Sequence, residues 1–231
     1  MKKICIFVTT LLIGMSAFAG EAWKNHVGFG WKVPTGITVS GINDNKDWNL
    51  KMPVQTGIDF SYTGVHMESG FSVRAFMDYN LSTSNLASMN PKDTDLIGFN
   101  YTSALGAGWA PVRNNNFLLG FYGMLGFDMS IFPETYSDPA EGNTQNSITV
   151  TYGYGALFLG ANATFIWTPT GKRFSIFGSA TAGYNLPGII LYNKEDVASS
   201  RNRSTTDKLS DYWYVSGSFK VIPTIGVSWR F

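Results

Sequence analysis

The sequence predicts an all-β fold in which eight antiparallel strands run up and down around a closed transmembrane β-barrel. Three observations carry this. Apolar residues recur at every second position through eight segments, as in strands whose two faces meet unlike surroundings. Aromatics (15%) slightly outnumber charged residues (14%) in a chain with 25 glycines. Yet beyond the first 19 residues no stretch reaches the ~18 continuous apolar residues of a spanning helix. The apolar side chains, about forty in all, are also too many for the interior of an eight-stranded barrel, which holds only ordinary side chains or one small ligand. They must therefore face outward, into lipid.

Residues 1–19 read as a removable leader. Lys2 and Lys3 precede an apolar run over 4–15, and Ala17-Phe18-Ala19 supplies a small-x-small cleavage pattern, so the expected barrel is residues 20–231. Cys5 is the only cysteine and lies in that leader, so the exported chain forms no disulfide. Removing Lys2 and Lys3 from the 17 cations leaves 15 against 16 acids, a net charge near −1 that gives nucleic acid no footing.

The segments follow in order. Residues 26–33 set Val27, Phe29, Trp31 and Val33 on one face, and residues 54–62 set Val54, Ile58, Phe60 and Tyr62 against Gln55, Asp59 and Ser61. In 70–79, Phe71, Val73, Ala75, Met77 and Tyr79 oppose Ser72, Arg74, Phe76 and Asp78. In 97–109, Phe99, Tyr101, Leu105 and Trp109 alternate with Asn100, Thr102 and glycines, and in 117–131 Phe117, Leu119, Phe121, Leu125 and Phe127 oppose Gly120, Tyr122, Met124 and Asp128. The sixth segment, 148–167, changes its apolar face halfway, which predicts a bulge near Gly153 or Gly155. The seventh is 174–186. The last, within 212–231, sets Phe219, Val221, Ile225, Val227, Trp229 and Phe231 against Lys220, Thr224, Gly226 and Ser228.

Connections alternate in length. Residues 63–68, 110–116 and 168–173 are short and rich in Gly, Pro or Asn, as tight turns require; 35–53, 80–95, 132–147 and 187–211 are long and polar. Short turns at one end and long loops at the other place both termini at the short-turn end, which in this architecture is periplasmic, the long loops being extracellular. A soluble barrel with its apolar face inward is the rival arrangement. Aromatics at both ends of the strands argue against it: Tyr62, Phe71, Trp109, Phe117, Trp167 and Phe174 near the short turns, Trp31 and Trp213 near the loops, form the two girdles of a membrane interface.

The opposite face would line the lumen. Its charges are Lys32, Arg74 and Lys220 against Asp59, Asp78 and Asp128. A turn centred near His66 and Met67 would set Asp59 opposite Arg74, predicting an ion pair extended by Lys220. No metal-ligand spacing, phosphate loop or nucleophile–base arrangement appears; His26 and His66 stand apart from any Ser or Cys in a catalytic setting. No enzyme activity and no cofactor are expected.

The chain's last residues carry a resemblance. Thr224, Gly226, Trp229 and Phe231 resemble the carboxy-terminal assembly signal of bacterial outer-membrane barrels, and the whole pattern resembles the small eight-stranded group that includes the OmpA-barrel, OmpX and OmpW types. The resemblance implies outer-membrane lipid, the barrel-assembly machinery and periplasmic chaperones as partners. It implies one of two functions. One is a narrow pore or conduit for small, even hydrophobic, solutes with a charge-paired lumen. The other is a non-conducting surface protein whose long loops, above all 187–211 with Arg201 and Arg203, meet external ligands.

Overall fold

A computed structural model describes residues 22–43, 46–83, 97–137, 147–186, 189–196 and 215–231. The elements are β1 (Trp23–Asn43), β2 (Lys46–His66), β3 (Phe71–Thr83), β4 (Ile97–Arg113), β5 (Phe117–Ser137), β6 (Ser147–Trp167), β7 (Phe174–Asn185), β8 (Ile189–Asp196) and β9 (Val215–Arg230). Every pairing is antiparallel. The ladder runs β5-β4-β3-β2-β1-β9-β7-β6, and β6 returns to β5, so the wall closes. β8 extends the line of β7 along the far half of β6, from Gly155↔Ile189 to Ile148↔Asp196, which makes eight staves from nine elements.

Alternation sets the two faces as expected. Val27, Phe29, Trp31, Phe60, Leu105, Phe121, Leu125, Leu157, Phe165, Ile225 and Trp229 are all more than 40% exposed. Their neighbours in sequence point inward and are buried or partly buried. About 0.025 kcal/mol per Å² would penalise such a belt in water, and in hydrocarbon that penalty is absent. Closure gives each wall strand a partner on both edges, the condition for spanning lipid.

Two differences from the sequence reading have physical causes. Residues 35–43 and 46–53, expected within a loop, are strand: β1 and β2 run on together to Asn43↔Lys46, pairing Ile37 with Met52 and Val39 with Leu50. Likewise β5 and β6 stay paired out to Ser137↔Ser147. At 21 residues each, these strands far exceed the 9–11 that cross a bilayer, so two hairpins project beyond the membrane. The second difference concerns the bulge. β6 pairs β5 without a register shift. Irregularities fall instead between Lys32 and Ile37 of β1, around Pro34, and between Trp109 and Val112 of β4, around Pro111, where a missing N–H interrupts the ladder. Residues 84–96, 138–146 and 197–214, with Arg201, Arg203 and Trp213, lie outside the described residues, as do residues 1–21 with the expected leader.

Glycine makes room inside the wall. The Phe177 ring lies against β1 and β9 where a Cβ on Gly28 would stand 2.9 Å from it and one on Gly226 2.7 Å. At the turn between β2 and β3, Gly70 takes φ +78, which other residues adopt only with strain. Gly28→Val should therefore lower stability by about 1–3 kcal/mol through overpacking. Since Gly28 meets side chains and not backbone, Gly28→Val combined with Phe177→Ala should cost less than the two changes summed. Urea unfolding in lipid vesicles would measure both, and strict additivity would show that the ring does not need the glycine.

Candidate functional site

The barrel interior is the candidate site, and it is layered. Nearest the short turns, Val65, Ala110, Leu118, Ile166 and Phe177 form an apolar cluster with Met67 against it. Above it lies Arg74, 2% exposed, donating to Thr63 Oγ1 (2.8 Å) and Ser179 Oγ (3.2 Å), with its guanidinium 6.0 Å from the Phe177 ring centroid. A second apolar cluster follows: Phe76, Ala104, Tyr122, Met124, Phe158 and Ile222. Its Tyr122 hydroxyl reaches Ser72 Oγ at 2.9 Å.

Towards the projecting hairpins the interior becomes polar, with Asp128 as its hub. Lys220 Nζ donates to Asp128 Oδ1 at 2.5 Å, the Thr102 hydroxyl donates to the same oxygen at 2.7 Å, and Asn100 Nδ2 does so at 3.1 Å. Asn185 Nδ2 serves the other oxygen at 2.6 Å. Lys220 also donates to Thr102 Oγ1 and lies 5.3 Å from the Phe158 ring centroid. Asn80 continues the network by donating to Asn100 Oδ1. A buried ion pair is tolerated where its remaining donors and acceptors are also satisfied, and this one meets that condition.

All six charged residues expected in the lumen are buried there: Lys32, Asp59, Arg74, Asp78, Asp128 and Lys220. Their partnering differs from the sequence reading. The turn between β2 and β3 is centred two residues later than expected, so Asp59 stands opposite Asp78, and Arg74 stands opposite Thr63. The ion pair observed among the described residues is Asp128–Lys220, not Asp59–Arg74. Among the described residues Lys32 Nζ has no hydrogen-bond partner, though it shares the interior with Asp78 and Asp128.

Of the aromatics expected in the girdles, Phe71, Trp109, Phe117, Trp167, Phe174 and Trp31 are exposed on the outer face. Tyr62 departs from them. It is 8% exposed and lies over Asn25, to which its hydroxyl donates at 2.8 Å. A polar residue on the lipid side is thereby covered and bonded. Thr224, Gly226, Trp229 and Phe231 sit where β9 meets β1: Thr224 opposite Lys32, Gly226 opposite Gly30, Trp229 opposite Val27.

The sequence reading missed what closes the short-turn mouth. The turn between β4 and β5 folds across it and ties the other three ends together. Arg113 donates to Met67 O (2.9 Å) and Glu68 O (3.0 Å) of the first turn. Asn116 Nδ2 donates to Thr168 O and Thr170 Oγ1 of the third. Asn115 accepts from Lys24 Nζ of β1 and, through its carbonyl, from Arg230 Nη1 of β9. Turn asparagines and arginines carry no periodic signal, so only the closed ring reveals this lid.

Removing one partner of the Asp128–Lys220 pair leaves a charge buried alone. Asp128→Ala and Lys220→Met are each expected to cost about 3–5 kcal/mol, and the double change less than their sum. Asp128→Ala should also cost more than Asp59→Ala, because four side chains donate to Asp128. Unfolding midpoints of these four variants provide the measurement.

No family model and no curated protein matches the chain. Solved structures similar to it include a major outer membrane protein from Thermus thermophilus, 16% identical over 91% of this chain and 100% of that one, with TM-score 0.49. Ail, the attachment invasion locus protein of Yersinia pestis, is 12% identical over 90% and 98%, with TM-score 0.41. The outer membrane protein OprG from Pseudomonas aeruginosa is 13% identical over 90% and 95%, also at 0.41. A wall that closes on itself and turns its apolar side outward has hydrocarbon as its favourable surroundings, and the fold is accordingly an eight-stranded β-barrel of the kind that spans lipid.

Proposed function

We propose that the protein is a non-conducting outer-membrane barrel that anchors projecting β-hairpins for contact with external ligands. The observation that supports this most is the filling of the lumen. Two apolar clusters, centred on Phe177 and on Phe158 with Tyr122, lie one above the other across it, and the lid of Asn115 and Arg113 lies below both. A channel needs a continuous path of water or polar ligands, and buried aromatic layers interrupt one. The charge network then acts to neutralise and brace the interior, with Asp128, Lys220, Arg74, Lys32, Asp59 and Asp78 as its members. A narrow solute conduit would need these layers to part.

What remains for function is the projecting part. β1 with β2, and β5 with β6 and β8, carry the chain well beyond the span of a bilayer. Extended backbone held clear of the membrane suits surface recognition, and neither catalysis nor a cofactor is part of this reading. On the same reading residues 1–19 are cleaved and 20–231 form the mature barrel. Thr224, Gly226, Trp229 and Phe231 present β9 to the barrel-assembly machinery after periplasmic chaperones deliver it.

Planar-bilayer recording tests the central statement. The wild-type barrel should give no stable single channels, whereas Phe158→Ala with Phe177→Ala should open discrete conductance. Stable channels in the wild type would overturn the reading and favour the pore.

A further inference from the structure

Two acids face each other inside the wall. Asp59 of β2 stands opposite Asp78 of β3 on the inward face, and they are 2% and 0% exposed. Paired strands lie ~5 Å apart, which brings the two carboxyl groups within reach of a hydrogen bond between them. Counted as carboxylates, both can only accept. Asp59 Oδ1 and both oxygens of Asp78 are then buried without a donor among the described residues. Bare buried acceptors are rare in folded proteins, because each forfeits its hydrogen bonds to water.

The groups around the pair are committed elsewhere. Lys220 of β9 donates to Asp128 of β5 and to Thr102, and Asp128–Lys220 is the salt bridge among the described residues. Thr102 of β4 stands opposite Asp78 but turns its hydroxyl to Asp128. Arg74 of β3 donates to Thr63 and Ser179, and the Tyr122 hydroxyl of β5 meets Ser72. Lys32 of β1 acts on the acids only through space, its Nζ having no hydrogen-bond partner among the described residues. Ser61, two residues along the same face, is the neutral group bonded to Asp59. Two negative charges at this spacing, out of water and with no cation bridged to them, repel strongly. One proton between them removes the repulsion and turns the contact into a short O–H···O bond.

We propose that Asp59 and Asp78 share a single proton at neutral pH, one carboxyl donating to the other, as a clasp across the β2–β3 ladder. The proton belongs to the pair and not to either residue alone. The lumen then holds the cations Lys32, Arg74 and Lys220 against Asp128 and one further negative charge. The clasp is independent of whether the lumen conducts.

Infrared spectroscopy of the folded full chain in lipid vesicles reads the proton. A protonated carboxyl absorbs apart from carboxylates and shifts after refolding in deuterium oxide, while solvated acids are ionised at pH 7. The wild type should show one such band at pH 7. Asp59→Asn and Asp78→Asn should each abolish it, because the asparagine amide is itself a neutral donor to the acid that remains. For the same reason both variants should fold, as heat-modifiable gel migration would confirm. Asp78→Ala offers no donor, so its folding constant from urea unfolding should be about tenfold below that of Asp78→Asn. Absence of a protonated-carboxyl band in the wild type, or a band that persists in both asparagine variants, would overturn the proposal.

Discussion

The structure depends on the seam between β1 and β9. In hydrocarbon an unpaired strand edge has no water to turn to, so a sheet of this kind is stable there only when its first and last strands meet. They meet from His26↔Arg230 to Lys32↔Thr224 and again from Ser40↔Gly217 to Ile42↔Val215, and the first stretch is lined with residues that allow close approach. Gly28, Gly30 and Gly226 leave space there for the Phe177 ring. Sequence, closure and lumen filling are thus one event: glycine on two strands lets an aromatic from a third close the interior.

With the wall closed, the interior must satisfy whatever it buries. Asp128 does so by gathering donors from β4, β7 and β9, so the charge network spans staves that are far apart in sequence. Two apolar clusters, around Phe158 and around Phe177, lie beneath it. The interior alternates along its length: the Asp128 network towards the projecting side, an apolar cluster around Phe158, the Arg74 layer, a second apolar cluster around Phe177, and a lid of turn residues at the mouth.

Much of the wall was legible from alternation, because a period of two over ten residues has one explanation once size excludes an apolar interior. The lumen was less so. Phe158 and Phe177 sit in the runs Leu157-Phe158-Leu159 and Ile176-Phe177, where apolar residues are continuous and mark a strand buried on both faces. That signal was available but weaker than alternation. The hairpin over 35–53 was also legible, since Ile37, Val39, Leu50 and Met52 alternate around a turn-forming Asn43-Asp44-Asn45. Pairing within the lumen was not, because a turn displaced by two residues moves every cross-strand partner, and Asp59 exchanged Arg74 for Asp78.

The two projecting hairpins differ in kind. The β5–β6 ladder is continuous from Phe117↔Trp167 to Ser137↔Ser147, without a single register shift. The β1–β2 ladder is broken around Pro34 as it leaves the wall. The first is a lever rooted in the barrel, whose foot adjoins the lid through Asn116 and Thr168. The second has a joint at its base. A load on the projecting side would therefore travel down one hairpin as shear to the short-turn end, and would be absorbed by bending in the other.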